Sequence, residues 1–368
     1  MRNTTYSVEC YVHPSQSLFH MSLVYCGLIG LAQYGNIELS YQRSKPVSDT
    51  GGPPWMSWLA IEKCSTGERR IIHFDLEDRS DVVSMSALED CDVYFKRSYY
   101  PPDLSALPVH LRNKVAPFGL NFGCRTRQST WQILPRVIPL MFIEVCRSPG
   151  QLSRWGRRDL NNIRAFLGTL PIGDYEQSPS HPLNTVVMFQ TRVWSPGEMK
   201  SDVEEETNQP RADLARRLKR EFRSRFWGGL VATPHAKRYY PDAITNLPSR
   251  RSQYIALSKR ALIGVYTRGL HDSLAFKLPE YLAASKCIVG EALRNELPTP
   301  LVPDVHYLRF ASADECVEQC TRLLEDSHLA EEMRYDNWEY YQSEVRPVRL
   351  LTKCLERAFE LPKISVIS

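Results

Sequence analysis

The segment HDSLAFKLPEYLAASKCIV, His271–Val289, decides how the rest of this 368-residue chain is read. Just before it, Tyr266-Thr267 close the apolar run ALIGVYT, so Arg268 to Lys277 form a loop at a strand's carboxyl end. Pro279 suits the first turn of a helix, because it lacks an N–H that would be orphaned there and its φ is preset. Lys277 and the free amides beside it favour an anion such as a diphosphate. Glu280 offers a first-turn carboxylate able to accept from two vicinal ribose hydroxyls. Ala283 and Ala284 let the helix lie close on a sheet, and KCIVG follows as the next strand. An ordinary surface helix with a dipole-favoured Glu explains any one of these residues. It does not explain the combination.

Working outward, the same alternation continues on both sides. NTVVMFQT and WGGLVAT read as strands on either side of ADLARRLKREFRSRF, an amphipathic helix with Leu214, Leu218, Phe222 and Phe226 as its apolar stripe. SQYIALSKR reads as a helix before ALIGVYT. Beyond KCIVG come a strand, VHYLRF, and a helix opened by the capping box Ser312-x-x-Glu315. The N-terminal half begins the same way. YSVECYV is a strand, His13-Pro14-Ser15 a turn, Leu18 to Gly35 an apolar helix, and IELSY a second strand. WMSWLAIEKC, RRIIHFDLED and CDVYFKRSYY are further strand candidates, with SKPVSDTGGPP as a loop between the second and third strands. GTLPIGDYEQSPSHP, from Gly168 to Pro182, is the linker candidate.

Strands separated by helices twice over predict two α/β units with parallel sheets. In such sheets a ligand lies at the carboxyl ends of the strands, and two units facing each other make a cleft. The boundaries expected are an N-terminal domain over 1–178, a C-terminal domain over 179–342, and a tail over 343–368. In the tail a helix broken at Pro347 carries the stripe Val348, Leu351, Leu355 and Phe359, which suits packing back on the first domain.

Bulk properties narrow the function classes. Apolar residues make up 43% and charged residues 24%, as in soluble globular proteins. A net charge of +4 does not require a polyanionic partner, and no nucleic-acid motif is present, so nucleic acid is not an expected partner. Ten scattered Cys without a CxxC pair, behind an N-terminus with no signal-peptide core, suggest reduced thiols in a cytoplasmic protein. The apolar run Leu18–Gly35 is interrupted by His20, Ser22 and Gln33 and reads as a buried helix, not a membrane span.

The segment 271–289 resembles the nucleotide-binding motif in the C-terminal domain of GT-B glycosyltransferases of the group 1 type, K-x-x-E-Y-L-A-x-G-K-P-I-V. Lys277, Glu280, Tyr281, Leu282, Ala283, Lys286, Ile288 and Val289 match it. The resemblance covers about 184–325. It implies a GT-B fold, two Rossmann-like domains facing across a cleft with a kinked C-terminal helix crossing back to the first. It also implies glycosyl transfer from a nucleoside-diphosphate sugar to an acceptor hydroxyl, in polysaccharide or glycoconjugate biosynthesis, without cofactor or metal. Glu280 would hold the ribose, and Lys277 with the loop carrying His271 and Ser273 the diphosphate. Asp272 has the separation from Glu280 of the family's E-x7-E pair, whose first acid approaches the donor sugar in retaining members. The family's Gly-Phe-Gly is Ser273-Leu274-Ala275 here, and its later Gly and Pro are Ser285 and Cys287, which leaves the part played by Asp272 open.

Other candidates surround this core. Thr191-Arg192 end a strand whose following loop contacts phosphates in similar transferases, and Arg192 is able to grip a phosphate with two N–H groups. Arg268 is a weaker candidate of the same kind. In the N-terminal half, HFDLEDRSD crowds Asp75, Glu77, Asp78 and Asp81 at a strand's exit. Asp75 and Asp78 are candidates for the base that deprotonates an acceptor, and a capping cluster is the alternative. His13, at the end of the first strand, competes for that role by the same resemblance. Lys96 and Arg97 are candidate acceptor contacts, with an ion pair to Asp92 or Asp75 as the plainer reading. The expected partners are the nucleotide sugar and a glycan or lipid-linked acceptor. The seven basic residues of 211–225 suggest a peripheral contact at the inner face of a membrane, though such faces are usually just solvated. A sugar-nucleotide 2-epimerase, or a non-catalytic nucleotide-binding relative, would share the fold.

Overall fold

In a computed structural model the structure describes residues 4–13, 16–43, 56–147, 152–195 and 203–361. Pro14-Ser15 and the loop SKPVSDTGGPP lie outside the described residues. The chain divides into two units, one built from 1–172, 295–299 and 343–368, the other from 173–294 and 300–342.

The first unit opens with strand β1 (Tyr6–Val12), helix α1 (Leu18–Tyr34) and strand β2 (Ile37–Arg43). Ser17 caps α1 by accepting from the His20 N–H, and Gly35, at φ 78°, closes it in the left-handed conformation. Eleven of the seventeen residues of α1 are buried, as expected of a helix apolar on most of its sides. There follow β3 (Met56–Lys63), β4 (Glu68–Asp75), α2 (Met85–Asp90), β5 (Val93–Lys96), α3 (Val109–Arg112) and β6 (Val115–Pro117). β7 (Cys124–Arg125), α4 (Arg127–Arg147), α5 (Leu152–Leu167) and β8 (Leu170–Pro171) complete the continuous part.

The main sheet has the order β2-β1-β3-β4-β5-β6. Here the expectation of a parallel sheet is corrected, because β3 runs antiparallel to both β1 and β4. β3 and β4 are joined by the tight turn Cys64–Gly67, and a short turn permits only an antiparallel return.

The second unit begins with α6 (Ile172–Tyr175), β9 (Asn184–Thr191), α7 (Val203–Phe222), β10 (Phe226–Leu230), α8 (Pro234–Tyr239) and α9 (Arg251–Ser258). β11 (Ala261–Tyr266), α10 (Lys277–Ala283), β12 (Cys287–Glu291), β13 (Leu308–Phe310), α11 (Ala313–Glu325) and α12 (Ser327–Tyr340) follow. Its sheet, β10-β9-β11-β12-β13, is parallel throughout. Val186 to Thr191 of β9 are all buried, as in a strand covered on both faces. The helix read across 212–226 ends at Phe222, and Phe226 instead starts β10. The linker candidate also carries structure, since β8 and α6 fall inside it.

A π-turn over Tyr341–Val345 leads to α13 (Pro347–Glu360), which packs on α1 within the first unit. Glycines in α1 make this contact close. A Cβ at Gly27 would lie 2.5 Å from the Pro347 carbonyl oxygen, and one at Gly30 would lie 2.5 Å from Val348 Cγ2. Phe359 stacks on Tyr6 at 5.5 Å. All ten cysteines are free thiols, with only Cys64 and Cys146 exposed. No described helix is long and apolar enough to cross a membrane.

The first unit buries a histidine in apolar surroundings. His73 is fully buried between the rings of Trp58 (4.4 Å) and Tyr94 (4.9 Å), and neither ring nitrogen has a hydrogen-bond partner among the described residues. Burial pushes its pKa down to about 4 from 6.5, and Asp75 offsets only part of that. The unfolded chain therefore binds the proton first. The neutral ring contributes stability that is complete above about pH 6.5 and is lost as pH falls through about 4, on the order of 3 kcal/mol. His73→Phe is expected to flatten the loss of stability between pH 6.5 and 4, read from denaturation midpoints across that range.

Candidate functional site

The carboxyl edge of the second sheet gathers the cations. β11 ends at Tyr266, and the loop that follows holds His271 and Asp272 in the left-handed region, at φ 55° and 58°. Two adjacent non-glycine residues there are uncommon, and His and Asp are among the types that tolerate it best. The loop turns back through Gly269 N–H donating to the Ser273 carbonyl at 2.8 Å. It then enters α10, whose Tyr281 ring lies flat enough on β11 that a Cβ at Gly264 would sit 2.7 Å from it. Lys286 is fully buried and donates to the Ser258 and Ala261 carbonyls, so this part of the motif is scaffold.

Lys277, at the start of α10, makes no hydrogen bond among the described residues, and its ammonium lies over the Tyr254 ring at 5.4 Å. Burial pushes its pKa down to about 7, and the cations Arg211 and Arg251 push the same way, against Glu280. Arg211 is buried and donates to the carbonyls of Arg192 (3.1 Å) and Arg268 (2.9 Å). Burial lowers its pKa to about 10. Lys277 and Arg251 stand beside Glu280, while Arg211 lies close enough to Lys277 to press on its charge and has Glu291 as its own acidic neighbour.

Glu280 requires a correction. The ribose reading needs a carboxylate open to a ligand, whereas this one is 3% exposed and its Oε1 accepts from Arg251 Nη2 at 2.5 Å. Arg251 is braced in turn by the Tyr175 hydroxyl, 3.3 Å from both Nε and Nη2. Glu280 Oε2 is buried with no hydrogen-bond partner among the described residues. Burial raises the carboxyl pKa more than the two cations lower it. A bidentate grip on two ribose hydroxyls is not preformed.

Beside the loop lies a cavity of about 650 Å³ walled by Arg211, Thr267, Arg268, His271, Asp272 and Glu291 among others. Arg268 pairs with Asp272 at 2.9 Å, and its N–H donates to Glu291 at 2.7 Å. Ser273 is buried beneath the loop and Thr191 is buried at the end of β9. Arg192 is exposed and stacks on Trp194 at 3.6 Å. Of the residues read from sequence, the structure brings Lys277, Glu280, Arg268, His271, Asp272 and Ser273 to one edge. Arg211 and Arg251 were missed. Arg211 looked like one more charge on a basic face, and Arg251 lies 29 positions from its partner with no local signal.

The first-unit candidates divide differently. Asp75 and Lys96 are both fully buried and pair at 2.9 Å. Asp75 also accepts from the Tyr94 hydroxyl (2.7 Å) and the Glu77 N–H (2.9 Å), and Lys96 donates to the Val82 carbonyl (2.6 Å). Neither is able to touch an acceptor, so Asp75 as base and Lys96 as acceptor contact are corrected to a structural ion pair. Arg97 is buried and pairs with the half-exposed Asp78 at 2.5 Å. His13 is partly buried, and burial together with Arg158 lowers its pKa. Among the described residues no group of three or more His, Cys, Asp or Glu is placed to hold a metal ion.

Two Rossmann-like α/β units in one chain, the second carrying this motif at the carboxyl edge of a parallel sheet, form the domain plan of GT-B proteins. Residues 211–356, which contain the motif, match the family model described as glycosyl transferase-like. Among solved structures the chain is similar to the C-terminal domain of a group 1 family glycosyl transferase from Francisella tularensis (11% identity, 43% of this chain and 84% of that one, TM-score 0.32). It is also similar to UDP-GlcNAc 2-epimerase from Neisseria meningitidis bound to UDP-GlcNAc (13%, 78% and 69%, 0.39). A glycosyltransferase from Rickettsia africae is a third (12%, 76% and 66%, 0.40). No curated protein matches the sequence.

Proposed function

We propose that the chain is a glycosyltransferase that moves a sugar from a nucleoside-diphosphate sugar to an acceptor hydroxyl in polysaccharide or glycoconjugate biosynthesis. The observation that carries this reading is the gathering of Lys277, Arg211 and Arg251 at the carboxyl edge of the second sheet, inside the span that matches the transferase family. Negative charge develops on the leaving diphosphate as the glycosidic bond breaks. Fixed cations in a partly desolvated site stabilise that charge more than water does. Arg268, Arg192 and the amides of the 271–273 loop are the further diphosphate contacts in this proposal. Glu280 contributes by holding the Arg251 guanidinium through Oε1.

A thermal-shift panel of UDP, GDP, dTDP and CMP tests the reading, because a ligand bound only by the folded state raises the melting temperature by mass action. One nucleoside diphosphate is expected to give a saturable rise, and no rise with any of them would refute the proposal. Incubating the matching nucleotide sugar without acceptor then separates slow hydrolysis, expected of a transferase, from the appearance of an epimer. Glu280→Ala is expected to raise the donor KM about tenfold or more, in keeping with loss of a charged hydrogen bond. An unchanged KM would remove the Glu280–Arg251 pair from the donor site.

A further inference from the structure

Helix α4 has two apolar faces, and only one is used by the core. Ile133, Val137 and Met141 point inward and are buried. On the opposite side Trp131 is 70% exposed and Phe142 is 68% exposed, with Ile138 between them at 44%. At 100° per residue, positions 131, 138 and 142 fall within a narrow arc, so they form one stripe along the helix. Arg127, one turn before Trp131, lies on the same side. Large apolar side chains scattered singly over a surface need no explanation, but three in line on one helix do.

Charge narrows what fits the stripe. Residues 127–167, which span α4 and α5, contain seven arginines against Glu144 and Asp159, a larger excess than the +4 of the whole chain. α5 packs against α4 and presents Arg157, Leu160, Arg164 and Leu167, all exposed, along one side. Arg127, Arg157 and Arg164 make no ion pair among the described residues. The basic helix singled out by sequence is different. In α7, Arg216 pairs with Asp242 and Asp213, Arg217 pairs with Asp314 and Glu221, and Arg211 turns inward. Three of the seven cations of 211–225 are thus satisfied within the fold, and beside the other four, Lys219, Arg220, Arg223 and Arg225, no large apolar side chain is exposed among the described residues of 207–230.

We propose that the outer face of α4, with the arginines of α5, docks the protein on an anionic lipid surface. Trp131 and Phe142 enter the headgroup boundary, where an aromatic ring is favoured, and the unpaired arginines hold lipid phosphates. The contact is peripheral and reversible, because it offers one short apolar stripe and a handful of charges.

Vesicle flotation of the full chain tests this. Vesicles of phosphatidylcholine containing phosphatidylglycerol are expected to carry the protein, those of phosphatidylcholine alone to carry little, and added salt to weaken the binding. Trp131→Ser with Phe142→Ser is expected to lower the partition coefficient about tenfold or more through lost apolar burial. Arg157→Glu with Arg164→Glu is expected to lower it by a similar factor through lost charge. All four positions are exposed, so circular dichroism and the nucleotide thermal shift should not change. No binding to the anionic vesicles, or binding indifferent to the Trp131 and Phe142 changes, overturns the proposal. Self-association in sedimentation that the Trp131 and Phe142 changes abolish would assign the stripe to a second copy, and overturns it too.

Discussion

Replacing Lys96 with Met is expected to destabilise the first unit by about 3–5 kcal/mol, the range found when one member of a buried ion pair is removed. The reason is positional. β4 and β5 run parallel with Asp75 opposite Lys96 in the register, so the two side chains meet at the end of the sheet with no access to water. Without the ammonium, Asp75 keeps only the Tyr94 hydroxyl and the Glu77 N–H, and a buried carboxylate with two donors is poorly compensated. Removing both charges at once, Lys96→Met with Asp75→Leu, is expected to cost less than Lys96→Met alone, since no charge is then stranded. Urea denaturation followed by circular dichroism reads both. A loss below about 1 kcal/mol for Lys96→Met would mean that the pair is hydrated.

Lys277→Met is expected to weaken binding of the nucleoside diphosphate by roughly ten- to a hundredfold, the cost of a charge-assisted contact. Its pH dependence is the sharper signature. In the free protein, burial and the nearby arginines hold the Lys277 pKa at about 7. A bound diphosphate favours the charged ammonium and raises that pKa, so binding takes up a proton above pH 7. Affinity is therefore full below about pH 7 and falls as pH rises toward the bound-state pKa, by up to about tenfold per pH unit. In Lys277→Met that slope disappears. Isothermal titration in buffers of different ionisation enthalpy counts the proton directly, and a wild-type affinity that is flat from pH 7 to 9 would remove Lys277 from the diphosphate site.

The sequence made some of these arrangements readable and hid others for physical reasons. The order of strands and helices in the second unit was legible because parallel strands buried on both faces are continuous apolar runs, as in NTVVMFQT and ALIGVYT, and each lies beside a periodic helix. The direction of β3 was not, because an apolar strand reads alike in either direction and only the short turn at 64–67 decides it. The helix-opening box at Ser312 and Glu315 shows how small the residual error was. Ser312 accepts from the Glu315 N–H as expected, while the Glu315 carboxylate reaches back to Ala311 N–H at 2.7 Å, one residue before the cap.

Side-chain partners across long sequence separations were the least legible. Nothing near Glu280 announces Arg251, and nothing near α4 announces which of its two apolar faces the core takes. From sequence the acidic cluster at 75–81 fits chemistry and capping alike, because strand exits carry both. Its first member is instead part of the architecture, while Asp78 and Asp81 keep exposed edges, each paired with an arginine.

One consequence follows from α13 lying on α1. The unit that starts the chain needs residues 343–361 to cover the glycine face of α1, whereas the unit made from 173–294 and 300–342 is complete before they emerge from a ribosome. Maturation therefore runs inside out. Residues 173–342 acquire their structure while the glycine face of α1 is still a bare greasy groove, and α13, translated after them, acts as the latch that closes it.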